Sequence, residues 1–145
     1  GPSGKSGSEY LEELKQTVAN LNLESHIEFL DNLPQTEIRD LLNKSKLLIH
    51  TSKFETFGLV AAEANAMGVP VLTTNRGSLL EIVDSEKNGY YSENLIDGSV
   101  NNFVKELLNS NDKFEEIMFN CLEKSKAYSW ANTAKKIENL YKAFA

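Results

Sequence analysis

The sequence predicts an α/β domain built on a parallel sheet. Short apolar segments alternate with longer amphipathic segments, which is the pattern of strands joined by helical crossovers. Taken together, the strand segments are too apolar for an antiparallel sheet with one solvated face, so a parallel sheet with helices on both faces is expected. A chain of 145 residues with 41% hydrophobic content is long enough for one such domain.

Two helices and two strands are expected in the first third of the chain. Apolar residues recur at helical spacing after Ser8, which is placed to cap the first helix. Ile27 and Phe29 alternate with polar residues, which predicts a short strand. Pro34 marks the start of the next helix. The expected bounds are helix 8–22, strand 26–30, helix 35–44 and strand 46–50.

The remaining chain repeats the pattern and then ends in three helices. Gly68 is expected to end a helix, and Pro70 leads into an apolar strand. Segments 51–57 and 75–78 are expected loops, and Gly89 opens a last short strand. The expected bounds are helix 58–67, strand 70–74, helix 79–84, strand 89–91, and helices 98–109, 112–127 and 131–143.

Composition argues against several functional classes. The net charge is −6, and the 15 basic residues are scattered among 21 acidic ones, so nucleic acid is not an expected partner. The single cysteine, Cys121, can form neither an internal disulfide nor a cysteine-rich metal site, and we expect it to be a small buried hydrophobe. No apolar run has the length of a membrane span, and no signal peptide is visible. A cytoplasmic location is expected, with membrane association of a full-length enzyme as the alternative, and no metal and no cofactor are expected.

Residues 1–8 have the composition of a cloning remnant or loop. The triplet Gly4-Lys5-Ser6 invites comparison with a phosphate-binding loop. That motif requires a further glycine five positions before Gly4 and a strand ahead of it, and the sequence begins too late for either. A phosphate-binding loop of this kind is therefore not favoured.

Two loops of the predicted sheet are placed to bind a ligand. In open parallel sheets, ligands bind at the carboxyl ends of strands beside helix N-termini, and segments 51–59 and 73–79 hold such positions. Gly58 would let a ligand approach the backbone closely. The amides of Phe57, Gly58 and Leu59 are expected to be unpaired donors at the positive end of a helix, suited to a phosphate or a sugar hydroxyl.

Two carboxylates accompany this helix start. Glu63 is the single charged residue of helix 58–67, which is apolar on nearly all sides and therefore expected to be buried. A buried carboxylate needs a partner, and both a protein group, such as an arginine, and the paired hydroxyls of a ribose fit that need. Glu55 precedes the helix, where it is either a loop carboxylate favoured by the helix dipole or a functional group. Position alone leaves both choices open.

Segment 55–63 (ETFGLVAAE) resembles the motif Glu, seven residues, Glu of the retaining glycosyltransferases known as group 1 or family 4. Its surroundings are similar too: Gly-Val-Pro-Val at 68–71, Asn-Gly-Tyr at 88–90 and Tyr-Ser-Trp at 128–130 match family features. The resemblance covers nearly all of residues 9–143. The combination of these motifs is specific for the family, whereas the carboxylate pair alone would not be. One departure is Ser78, which stands where the family has a second glycine.

The resemblance implies a role for each residue of the motif. Glu55 is the catalytic residue and lies against the donor sugar, where it would stabilise the reaction rather than attack. Glu63 holds the ribose hydroxyls of a nucleotide sugar. Transfer to an acceptor glycan, lipid or small molecule retains the anomeric configuration. The donor-binding set is Thr56, Phe57, Gly58, Leu59 and Glu63, to which Arg76 is added because its loop follows a strand at the same edge.

The resemblance also implies an architecture. The domain would be Rossmann-like, the C-terminal half of a GT-B enzyme, and residues 9–145 would be a nucleotide-sugar-binding fragment that lacks the first strands, the cationic pyrophosphate ligands and the acceptor domain. We therefore expect the isolated chain to be inactive. We also expect an exposed sheet edge, at which strand 26–30 pairs with strand 46–50 or, as we favour, a second copy forms a dimer. A binding module without catalysis and a sugar-nucleotide epimerase are the alternatives.

Three aromatic residues outside the motif are expected to be structural. His50 ends a strand beside the site, where it could touch a sugar, but a packed or capping role is favoured. His26 starts a strand. Trp130 is expected to pack the last helix onto the domain.

Overall fold

The computed structural model describes residues 7–52 and 55–144, so the triplet Gly4-Lys5-Ser6 lies outside the described residues. The chain divides into two compact units, Gly1–Pro34 and Gln35–Ala145. The elements, in chain order, are α1 (Gly7–Asn20), α2 (Gln35–Lys44), β1 (Leu48–His50), α3 (Leu59–Ala66), β2 (Val71–Thr74), α4 (Leu79–Ile82), β3 (Gly89–Ser92), α5 (Gly98–Asn109), α6 (Asn111–Ser125) and α7 (Trp130–Ala143).

The first unit contains α1 but not the predicted strand. The helix begins at Gly7, so Ser8 is a helical residue rather than the expected N-cap, a shift within the usual variation of helix ends. Residues 27–30 have no regular secondary structure, and Ile27 and Phe29 are each 41% exposed. The prediction of a strand at 26–30 is therefore wrong. An alternating segment becomes a strand only when a neighbouring strand pairs with its backbone, and the sheet contains β1, β2 and β3 alone among the described residues.

The second unit is built on the predicted parallel sheet. Its strand order is β1-β2-β3, with both pairs parallel. Leu48 lies opposite Val71, and Val71 lies opposite Gly89. The central strand β2 is almost wholly buried, as expected for a parallel strand covered on both faces.

Helices cover both faces of this sheet, as predicted. Neighbouring residues of a strand point to opposite faces, and the adjacent residues Tyr90 and Tyr91 accordingly pack into different cores. Tyr91 joins a core formed with residues of α2, α3 and α4. Tyr90 joins a second core with residues of α5 and α6, where its ring stacks on Phe103 at a centroid distance of 5.1 Å.

Helix α3 is buried on one side only. The small residues Ala61 and Ala64 are fully buried and allow close packing against the sheet and α6, whereas Leu59 is 68% and Val60 is 45% exposed. The expectation of a helix buried on nearly all sides is therefore wrong. An apolar sequence permits burial, but the neighbouring elements that are present decide which sides are covered.

The three C-terminal helices are confirmed, and side-chain caps explain where they begin. The side chains of Asp97, Ser110 and Ser129 accept hydrogen bonds from backbone N–H groups in the first turns of α5, α6 and α7, respectively. Trp130 is 88% exposed, so the prediction that it packs α7 onto the domain is wrong. Two residues before α7, the hydroxyl of Tyr128 donates to the Glu81 carbonyl at 2.9 Å.

Across residues 7–52 and 55–144, no helix combines the length and apolar character needed to cross a bilayer.

Candidate functional site

The two loops singled out in the sequence meet at the carboxyl edge of the sheet. The Thr74 hydroxyl, at the end of β2, donates to the Ser52 carbonyl at 2.8 Å. The Ser78 hydroxyl donates to the Glu55 carbonyl at 3.4 Å. Ser78, the departure from the family's second glycine, therefore contributes a contact between the two loops.

Two glycines allow this close approach. Gly58 precedes α3 with φ 71°, and a Cβ there would lie 2.8 Å from Cδ1 of Ile82. Gly77 has φ 60°, and a Cβ there would lie 2.7 Å from the Glu55 carbonyl oxygen. The left-handed region is costly for residues with a side chain, so both positions favour glycine. At Gly77 a backbone oxygen also leaves no space for a Cβ, whereas at Gly58 the nearest atom is the end of a flexible side chain.

The Glu55 carboxylate folds back onto the start of α3. Its Oε1 accepts hydrogen bonds from the N–H groups of Thr56 at 3.0 Å and Phe57 at 3.3 Å. The other oxygen, Oε2, lies 3.5 Å from Nε2 of His50. Hydrogen bonds from the Gly58 and Phe57 amides hold the pKa of Glu55 below its ordinary value, partial burial opposes them, and the proximity of His50 adds to the lowering.

This geometry corrects the prediction of unpaired amides. The Phe57 N–H is already bonded to Glu55, and the Gly58 N–H also interacts with the same carboxylate. The physical reason is local: Glu55 lies four residues before the first residue of α3, and its carboxylate reaches the amides of the residues that lead into the helix. A ligand anion at these amides would compete with Glu55.

Glu63 lies in the second turn of α3 and is half-buried. Its Oε1 accepts a hydrogen bond of 3.1 Å from Nε2 of Gln35, the first residue of α2. Sequence reasoning anticipated an arginine or a ligand as the partner and missed this neutral amide. The one available signal was the position of Gln35 directly after Pro34, at a helix start.

An open pocket of about 280 Å³ lies between α2 and α3. Its floor is mainly apolar, and the paired side chains of Gln35 and Glu63 are among its walls. Sequence reasoning did not find this pocket, because it depends on how two helices distant in sequence pack. The lining residues are Gln35, Thr36, Ile38, Arg39, Leu42, Glu63, Ala66 and Met67.

Arg76 follows β2 in the second loop and is exposed. Its backbone N–H donates to the Thr74 carbonyl at 2.8 Å, which tightens the turn. The two predicted carboxylates have different partners: Glu55 contacts amides of the loop before α3 and lies near His50, whereas Glu63 contacts α2. Within the described residues, no group of three or more His, Cys, Asp or Glu side chains could hold a metal ion.

Comparison with known proteins assigns the chain to a family. The sequence profile of the family "Glycosyl transferases group 1" matches residues 3–120. The chain is also similar to D-inositol 3-phosphate glycosyltransferase of Corynebacterium urealyticum, with 31% identity over 143 residues. This match covers 99% of the chain and 34% of the relative, so the chain spans about a third of that protein's length.

The fold is similar to that of solved glycosyltransferase structures. Anabaena Alr3699/HepE in complex with UDP superposes with a TM-score of 0.81 and 25% identity, covering 94% of this chain and 37% of that chain. The complex of the same protein with UDP-glucose gives a TM-score of 0.80 at 25% identity, covering 95% and 38%. The parallel sheet covered by helices corresponds to the C-terminal domain of GT-B glycosyltransferases. The chain belongs to the family of group 1 glycosyl transferases.

Proposed function

We propose that this chain is the donor-binding part of a retaining glycosyltransferase that transfers a sugar from a nucleoside diphosphate sugar to an acceptor. The observation that carries the proposal is the pair of carboxylates at α3, one in the loop before the helix and one on it. Glu55 lies at the N-terminus of the helix and Glu63 one to two turns along it, at the carboxyl edge of a parallel sheet. The similarity to a protein solved with UDP and with UDP-glucose supports a uridine donor as the first candidate.

Each group of the site has a chemical task in this proposal. Glu63 accepts hydrogen bonds from the paired ribose hydroxyls, and the pocket beside it leaves room for part of the nucleoside. Glu55 contacts the hydroxyls of the donor sugar and stabilises the charge that develops on the ring. Its contacts with the Thr56 and Phe57 amides place it at the entrance to α3.

The leaving diphosphate needs positive charge. The N-terminus of α3, at Leu59, supplies the positive end of a helix dipole. Arg76, exposed in the adjoining loop, supplies a cation that can bond a phosphate through two N–H groups. Both lie at the same edge of the sheet as the carboxylates, where they would stabilise the charge that builds up as the glycosidic bond to the diphosphate breaks.

A binding module without chemistry of its own is the second candidate for the isolated chain. The chain matches 34% of the length of a curated relative. Transfer requires the acceptor and the donor to be held together. We therefore propose that the 145-residue chain binds a donor weakly and transfers no sugar.

Calorimetric titration with UDP and with UDP-glucose tests the donor assignment. It compares the gene product that contains this chain with the isolated 145-residue chain. We expect binding by the gene product, weaker binding by the isolated chain, and release of UDP from UDP-glucose by the gene product alone. GDP-glucose and ADP-glucose serve as matched controls for the base. If none of these donors binds the gene product, the proposed function is wrong. Sugar transfer by the isolated chain would contradict the proposal that this chain only binds the donor.

A further inference from the structure

Beyond the two carboxylates, the site contains an ionisable side chain that neither the motif nor the proposed roles use. His50 is the last residue of β1, and its register opposite Thr73 fixes its place at the carboxyl edge of the sheet. The Thr73 hydroxyl donates to the His50 carbonyl at 3.0 Å, which further fixes the backbone at this position. The side chain is 15% exposed, so the imidazole is held within the structure rather than free in solvent.

The two nitrogens of this ring have different surroundings. Nε2 faces Oε2 of Glu55 at 3.5 Å. Nδ1 is buried and has no hydrogen-bond partner among the residues that the structure describes. Because a carboxylate favours an N–H group beside it, the neutral ring is expected to carry its proton on Nε2.

The two oxygens of the Glu55 carboxylate therefore have different neighbours. Oε1 accepts hydrogen bonds from the Thr56 and Phe57 amides, and Oε2 lies 3.5 Å from Nε2 of the imidazole. The amides all belong to the loop that leads into α3. A second contact from β1, which is part of the sheet, fixes the carboxylate plane relative to the rigid framework.

We propose that His50 is a positioning residue for Glu55, whose carboxylate it orients toward the donor sugar through an Nε2–H contact to Oε2. The inference rests on the proposed role of Glu55 in sugar transfer. Each carboxylate oxygen has two lone pairs, so Oε2 can accept from His50 and from a sugar hydroxyl at the same time. His50 need not touch the substrate, because it acts through the orientation of Glu55.

Three substitutions at position 50 separate orientation from packing. Gln places an amide N–H near the position of Nε2, Asn places it near that of Nδ1, and Leu keeps the bulk without a donor. The rates of UDP release from UDP-glucose and of transfer are measured on the gene product that contains this chain. We expect His50→Leu and His50→Asn to lower kcat by about tenfold or more, since small misplacements of reacting groups are costly. The KM for the donor should change less.

Partial rescue by the amide is the decisive comparison. His50→Gln should recover most of the kcat lost in His50→Leu, and His50→Leu should have little further effect in a Glu55→Gln background, because the two residues act as one unit. A kcat as low in His50→Gln as in His50→Leu, or fully additive losses in the double variant, would overturn the proposal.

A spectroscopic measurement keeps the inference testable if UDP-glucose is not a substrate. The chain has two histidines, His26 and His50, so ¹⁵N spectra of the imidazoles contain two simple patterns. We expect the neutral form of the His50 ring to be the Nε2–H tautomer, with a ring shift that Glu55→Gln alters, while exposed His26, beside Ser25, serves as the internal control. An Nδ1–H tautomer, or a His50 signal unaffected by Glu55→Gln, would refute the contact itself. Failure of the donor assignment alone would leave this spectrum unchanged.

Discussion

The Cα of Gly77 faces the backbone carbonyl of Glu55 so closely that a Cβ at position 77 would lie 2.7 Å from the carbonyl oxygen. This approach joins the loop after β2 to the loop that carries the proposed catalytic carboxylate. The conformation at Gly77 is left-handed, with φ 60°. Two independent constraints, space and dihedral angle, therefore exclude a side chain at this position.

Gly77→Ala should lower the free energy of unfolding by about 1–2 kcal/mol from the left-handed conformation alone, with a further loss from displacement of the Glu55 loop. Urea unfolding followed by circular dichroism measures the effect. Gly98→Ala is the matched control, because Gly98 begins α5 and a Cβ there meets nothing within 4 Å. Equal stability of Gly77→Ala and the parent protein would contradict the loop contact.

Glu63→Ala should weaken UDP binding by about 1–3 kcal/mol, because the ribose hydroxyls would lose a charged acceptor. Gln35→Ala should cause a smaller loss, since it removes the amide that holds Glu63 in place. Calorimetry on the gene product that contains this chain measures both effects. Glu115→Ala, which changes an exposed carboxylate of α6, is the control. Unchanged UDP affinity in Glu63→Ala would exclude the ribose role.

Glu55→Gln should alter the acid stability of the domain. Backbone amides lower the pKa of Glu55 in the folded state from the ordinary value of 4.5. A lowered folded-state pKa adds stability that is present above pH 4.5 and is lost as the pH falls through the folded-state value. The stability difference between parent and Glu55→Gln should therefore be largest near neutral pH and shrink below pH 4.5. Urea midpoints measured across this range that differ by a constant amount would contradict the assignment.

Cys121 should resist thiol reagents in the native protein. Burial raises the pKa of its thiol to about 12, and its Sγ donates to the Asn88 carbonyl at 3.3 Å. Because it is the one cysteine in the sequence, labelling with iodoacetamide reports on it alone. Labelling should be negligible in buffer and complete in denaturant. Rapid labelling of the native chain at neutral pH would show that the second core opens readily.

We propose that the isolated chain associates through β1. In the described part of the chain the sheet order places β1 at an edge, and Ile49 at its centre is 57% exposed. Exposed edges pair with other chains. Light scattering over a dilution series should show dimers that Ile49→Lys converts to monomers, whereas Leu80→Lys on α4 should leave the association unchanged. A protein that is monomeric at every concentration would contradict this proposal.

The sequence by itself determined the order of the elements in the second unit and the family. Helical spacing, the glycines and prolines, and the spacing from Glu55 to Glu63 are local features. These features depend on residues close together in the chain, so they can be recognised without coordinates. The buried state of Cys121 and the helices on both faces of the sheet followed from the same patterns.

Tertiary structure decided what depends on residues distant in sequence. The strand expected at 26–30 did not form, because pairing requires a neighbouring strand and not only an alternating pattern. The partner of Glu63 is Gln35, 28 positions away, and no periodicity indicates that pair. The contact between His50 and Glu55 likewise depends on where β1 ends relative to a loop. Packing between separate elements sets these distances, and a single sequence records it only indirectly.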